Sequence, residues 1–219
     1  LQRRQRAQEI QTSKQAPKTG DIAVLGPENT FSDLAAKQIA ATNEKIVYVS
    51  SIHQAFDAVE KGIVKKGVVP IENMLNGSVR ETFDELFSRN VHIAQKINQP
   101  ILHALVALPG VQKKDINTVK SHSQAIQQCV QFLQKNYPHA RKTPTASTIQ
   151  AYQTITGEND RNGAAIIPLE VAKKLPCTIL AKNIGDTKDN QTTFAIIQKA
   201  RASTNDPPPT LKPRTATNV

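Results

Sequence analysis

Ile22-Ala23-Val24-Leu25-Gly26-Pro27-Glu28-Asn29-Thr30-Phe31-Ser32 decides the fold class. Four apolar residues in a row read as a short strand of the kind buried in a sheet core. Gly26-Pro27 closes it. Residues 32–41 then read as a helix, so the chain passes from strand to helix through a short turn. The alternation continues. Residues 52–61 read as a helix with Ile52, Ala55, Phe56 and Val59 on one face. Residues 67–71 read as an apolar strand ended by Pro70 and the polar residues after it. Residues 79–87 read as a helix with Val79, Phe83, Leu86 and Phe87 turned inward. Strands are expected at 101–108, 118–120, 164–167, 178–181 and 193–198, and helices at 123–135, 148–156 and 169–175. Such alternation predicts an α/β fold with largely parallel sheets and helices on their faces.

A chain of 219 residues suffices for one large domain or two small lobes. Residues 1–20 are polar and basic, and residues 201–219 are rich in proline; both read as tails or linkers around a body at 21–200. The formal charge of +10 suggests nucleic acid at first. Much of it sits in the tails, in Arg3, Arg4, Arg6, Lys14 and Lys18 at one end and Lys199, Arg201, Lys212 and Arg214 at the other. No nucleic-acid partner is therefore expected, and the mildly positive body suits an anionic small molecule. No apolar run approaches the ~18 residues of a membrane span, and the N-terminus has no signal-peptide pattern. Two cysteines, Cys129 and Cys177, give no metal spacing. A reducing, cytoplasmic setting is the expectation.

In open α/β sheets ligands bind beyond the carboxyl ends of strands, where helices begin. Thr30, Ser32, Ser78, Ser121, Ser147 and Thr148 stand at such junctions. Each could simply cap its helix. Together, helix starts converging on one cleft would hold an anion with more than one carboxylate.

Four segments carry a more specific signal. They are 25–32 with Ala35-Ala36 behind it; Val69-Pro70-Ile71-Glu72-Asn73 followed by Gly77-Ser78-Val79; Ser121-His122-Ser123-Gln124-Ala125 with Gln128-Cys129; and Asn183-Ile184, Asp186 and Asn190-Gln191-Thr192-Thr193-Phe194. In this order they closely resemble the prephenate dehydratase family, and Pro144-Thr145-Ala146-Ser147-Thr148 and Ala164-Ala165-Ile166 are similar to family segments too. The resemblance covers about residues 21–200. It implies two α/β lobes like a type II periplasmic binding protein, with the active site in the cleft between them. Lobe 1 would be about 21–100 plus 181–200, and lobe 2 about 101–180.

The resemblance also implies the decarboxylating dehydration of prephenate to phenylpyruvate in L-phenylalanine biosynthesis, with no cofactor and no metal. The family's essential threonine matches Thr192, which would assist the departing hydroxyl. Asn73, Ser78, Ser121 and Gln128 match polar family positions and are the expected substrate contacts, with Thr30, Ser147 and Thr148 toward the carboxylates. Glu72, His122 and Phe194 are candidates for catalytic or orienting roles. His53, His92, His103 and His139 have no motif partner and read as structural or exposed. Asn73, Ser78, Ser121 and Thr192 are expected to face one another across the cleft.

The chain departs from the family pattern in three places. Thr193 replaces the motif's arginine, Ser123 replaces a proline, and Leu175-Pro176-Cys177 lacks the usual Tyr-Gly pair. A phenylalanine-binding regulatory domain commonly follows in the family, but its Glu-Ser-Arg-Pro motif is absent from these residues, so no response to phenylalanine is expected of them. Two other readings stay open: a non-aromatising prephenate decarboxylase of a secondary-metabolite pathway, and a non-catalytic ligand-binding protein on the same fold. A homo-oligomer, and a fused chorismate mutase or regulatory domain in a longer chain, stay open as well.

Overall fold

Ile22, Ala23 and Val24 are completely buried in strand β1 (Ile22–Leu25). That burial follows from its place: β1 lies between β2 (Ile46–Val49) and β3 (Lys66–Asn73), parallel to both. The computed structural model describes residues 20–200, so the expected tails lie outside the described residues except for Gly20. Helix α1 (Phe31–Ile39) covers one face of this first sheet, and α2 (Ile52–Glu60) covers the other. A two-residue strand β4 (Gly77–Ser78) folds back on β3 and leads into α3 (Arg80–Ser88). Beyond β3 the sheet is completed by β11 (Gln191–Lys199) and the edge strand β5 (Val91–Pro100), in the order β2-β1-β3-β11-β5.

After Pro100 the chain leaves for a second sheet. Its strands are β6 (His103–Ala107), β7 (Thr118–His122), β8 (Arg141–Thr145), β9 (Gly163–Pro168) and β10 (Thr178–Lys182), in the order β10-β6-β9-β7-β8. Helices α4 (Ser123–Gln127) and α5 (Val130–Asn136) pack on one face. Helices α6 (Thr148–Gly157) and α7 (Leu169–Ala172) pack on the other. The chain then returns in β11. The protein is thus a two-lobed α/β fold whose second lobe is inserted into the first.

The sheets are mixed rather than largely parallel. β11 runs antiparallel to both β3 and β5, and β6 runs antiparallel to both β9 and β10. A parallel neighbour needs a crossover on the same sheet. The strands that enter or leave a lobe have no such crossover, and alternation along a sequence carries no strand direction.

Four strands escape the sequence reading, the two-residue β4 among them. β2 is short, β5 exposes most of its residues, and β8 has no fully buried residue. β3 also runs through Pro70 instead of ending there. The β3–β11 register shifts between Thr193 and Phe194, which pair with Glu72 and Pro70, so Ile71 is the extra residue of a bulge. A bulge beside the proline accommodates its missing N–H within a central strand.

The expected inner face of residues 79–87 is also corrected. Phe87 is 91% exposed and Phe83 is exposed too, whereas Thr82 is buried and donates to the Pro70 carbonyl at 2.6 Å. That bond, with Val79 and Leu86 on the core, sets the phase of α3. The single helix expected at 123–135 divides at buried Cys129. Asp186 accepts from the N–H groups of Gln131 and Phe132 and thereby starts α5 anew.

Asp33 anchors the turn between β1 and α1. Completely buried, its carboxylate accepts from Asn29 N at 2.8 Å, Tyr48 Oη at 2.7 Å and Lys37 Nζ at 2.8 Å. Asp33→Ala removes the acceptor of Asn29 N and Tyr48 Oη and leaves Lys37 only Glu28 among the described residues, at 3.1 Å, and is expected to cost about 1–3 kcal/mol in urea unfolding. A change below about 0.5 kcal/mol, the range of neutral surface substitutions, would show that the turn does not depend on this network.

Candidate active site

Where the two sheets meet, a cleft of about 300 Å³ opens. Leu25 and Gly26 at the end of β1, Asn73 at the end of β3, and Thr192 and Phe194 of β11 form its first-lobe side. His103 of β6, His122 of β7, and Gln124, Ala125 and Gln128 form its second-lobe side. Phe31, Pro70, Val79 and Ile101 add apolar wall.

Two full-length helices begin at this cleft. Thr30 caps α1: its hydroxyl accepts from Asp33 N at 3.4 Å and donates to Pro27 O at 3.0 Å. Ser147 caps α6, accepting from Gln150 N at 3.2 Å. These side chains hold the third-position N–H groups, so the N–H groups ahead of them are the ones left for an anion. Phe31 and Ser32 of α1 and Thr148 of α6 all line the cleft. Among the described residues, those lining the cleft include no Lys, Arg, Asp or Glu. Negative charge here would be held by backbone dipoles and neutral donors.

Asn73 and Thr192 are paired neighbours on β3 and β11, and both are buried. Asn73 Oδ1 accepts from Leu75 N at 3.1 Å and Asn76 N at 3.2 Å. Backbone N–H groups can only donate, so the carboxamide is fixed with Nδ2 on its other side. Nδ2 donates to Thr192 Oγ1 at 2.9 Å and also approaches Asn190 Oδ1 and Gln191 O, each at 3.3 Å. The Thr192 oxygen is therefore an acceptor toward Asn73, and its own proton, with no acceptor among the described residues, is available to the cleft.

A model of the prephenate dehydratase family matches residues 22–202. The chain belongs to the prephenate dehydratase family. It is 35% identical over 178 residues to an arogenate dehydratase/prephenate dehydratase of Arabidopsis thaliana, covering 81% of this chain and 45% of that one. It is 37% identical over 180 residues to a bifunctional chorismate mutase/prephenate dehydratase of Aquifex aeolicus, covering 81% and 48%. The chain thus spans about half the length of these curated relatives. Among solved structures, the prephenate dehydratase of Arthrobacter aurescens in complex with L-Phe superposes with a TM-score of 0.76 at 29% identity, covering 83% of this chain and 61% of that one. The Staphylococcus aureus prephenate dehydratase gives 0.73 at 28%, covering 83% and 67%.

Of the residues singled out by the resemblance to the prephenate dehydratase family, Thr30, Asn73, His122, Gln128, Ser147, Thr148, Thr192 and Phe194 line the cleft. Three others do not. Ser121 is completely buried and donates to Ile166 O at 2.7 Å, tying β7 to β9. Alternation along β7 turns the next residue, His122, into the cleft instead. His122 Nδ1 caps α4 by accepting from Gln124 N at 3.4 Å. Glu72 and Ser78 pair with each other across β3 and β4, and both are exposed away from the cleft. Asn73 and Thr192 therefore meet as expected, while Ser78 and Ser121 do not join them. Thr193, at the family's arginine position, faces away from Thr192 and donates to Asn98 Oδ1 of β5 at 3.0 Å.

The sequence reading takes His103 for a structural or exposed residue without a motif partner. It is 2% exposed, lines the cleft, and places Nε2 2.8 Å from Gln128 Oε1. Burial holds its pKa below the usual histidine value, against the smaller upward pull of Gln128. Its only sequence signal is a polar residue heading an apolar strand.

Proposed function

We propose that this chain catalyses the loss of CO2 and hydroxide from prephenate to give phenylpyruvate. The pairing of Asn73 with Thr192 carries the reading. As the ring carboxylate departs as CO2, the electrons of its bond enter the ring. The ring hydroxyl leaves with its bonding pair, and the ring becomes aromatic. The protein's task is to hold two carboxylates and to stabilise the departing oxygen. Thr192 Oγ1 donates to that oxygen, in the orientation set by Asn73. The first turns of α1 and α6 receive carboxylates, and Phe31, Pro70, Val79, Ile101 and Phe194 enclose the ring. The two lobes, about 21–100 plus 181–200 and 101–180, close on the substrate and exclude water. The setting is a reducing one of the cytoplasmic kind, which two unpaired cysteines support.

Purified protein mixed with prephenate should produce the absorbance of phenylpyruvate. CO2 release with a non-aromatic product would replace this reading with a decarboxylase, and binding without turnover would replace it with a ligand-binding role.

The keto acid is the expected substrate rather than its amino counterpart, arogenate. Arogenate carries an ammonium group, and among the described residues no carboxylate lines the cleft to pair with it. kcat/KM for prephenate should exceed that for arogenate by about tenfold or more. Equal values in side-by-side assays would show that the side-chain nitrogen is accommodated after all.

A further inference from the structure

His103 connects three of the four motif segments although it belongs to none. Its ring packs edge-to-face with Phe31 of the first segment, with centroids 5.3 Å apart and planes at 85°. Its Nε2 meets Gln128 of the third. Its carbonyl accepts from Ile184 N at 3.1 Å in the fourth, and Asp186 N donates to Gln128 O at 2.8 Å. The Asn183–Asp186 stretch, which the proposed chemistry does not use, thus braces the main chain of both His103 and Gln128.

The ring nitrogens settle the orientation of this pair. Nδ1 is buried and has no partner. A proton there would be a buried donor with nothing to receive it, a rarer arrangement than a buried lone pair without a donor. The proton therefore sits on Nε2, and Nε2–H requires an acceptor. Gln128 must present Oε1, which turns its NH2 group away from His103. That group has no hydrogen-bond partner among the described residues, and Gln128 lines the cleft.

We propose that His103 is a positioning residue: through its Nε2–H it fixes the carboxamide of Gln128 so that the NH2 end faces a substrate carboxylate. The nature of the ligand rests on the dehydratase reading; the pairing of the two side chains does not. An unheld Gln128 could equally present its oxygen and repel the anion.

Kinetics with prephenate on four variants, together with the ring tautomer, test this. His103→Leu should raise KM about tenfold, the weight of one hydrogen bond to a charged group, with kcat little changed. Gln128→Leu should do the same. The double variant should be no worse than Gln128→Leu alone, because both changes remove one contact. His103→Gln, which can place an N–H near the original Nε2, should recover most of the loss and guards against simple misfolding. In ¹⁵N-labelled protein, two-bond ¹H–¹⁵N correlations should report the His103 proton on Nε2. Additive losses, a fall in kcat at unchanged KM, or a proton on Nδ1 would each overturn the proposal. If the native protein shows no turnover, the dehydratase reading fails, and the tautomer still decides the pairing.

Discussion

Thr192→Ala is expected to lower kcat by about 10²–10³, the usual cost of one hydrogen bond made to charge developing in a transition state. KM and unfolding midpoint should stay near native. The Thr192 hydroxyl receives the Asn73 amide, and its proton has no acceptor among the described residues, so its main use lies with the substrate. Truncation leaves one Asn73 N–H to Asn190 Oδ1 and Gln191 O, which already lie at 3.3 Å. Little strain should follow. Steady-state phenylpyruvate formation measures the effect, and an unchanged kcat would remove Thr192 from the mechanism.

Asn73→Asp should be as damaging, for the opposite reason. An aspartate can still accept from Leu75 N and Asn76 N, so the turn after β3 should survive. Its second oxygen would face Thr192 Oγ1, where Asn73 now donates. That oxygen can only accept, so the Thr192 proton would turn toward it and away from the substrate. The added negative charge would also repel a dicarboxylate in a cleft whose lining, among the described residues, has no Lys or Arg. A loss of about 10²–10³ in kcat is expected, with a raised KM. Asn73→Ala provides the contrast: it abandons both backbone donors and should cost about 1–3 kcal/mol of stability, which Asn73→Asp should largely avoid. A near-native kcat in Asn73→Asp would mean that the direction of the Asn73–Thr192 bond is irrelevant to catalysis.

The sequence reads correctly wherever a decision is local. β1 and the helix after it follow from four apolar residues and a capping threonine, since both signals act within a few residues. The family, too, is legible in short segments kept in order. Where an element answers to a distant partner, the reading slips. Phe83 and Phe87 look like the inner face of α3, but the Thr82 bond to Pro70 turns the helix otherwise. Pro70 looks like the end of a strand because the bulge at Ile71 that tolerates it arises only from pairing with β11, more than a hundred positions away.

The same division runs through the site. By itself the sequence determined that this is an α/β chain of the prephenate dehydratase family, and most of the site residues it singled out do line the cleft. Only the tertiary structure decided which neighbour in two of the motifs faces the cleft: His122 rather than Ser121, and Asn73 rather than Glu72. The reason is the period of two along a strand. One residue's slip in phase exchanges the two faces, and the phase is set by pairing to strands far away in the chain. The place of His103 at the cleft went unread for a related reason. Its significance lies in a lone N–H that finds Gln128 across the fold, and no spacing along the chain records that meeting.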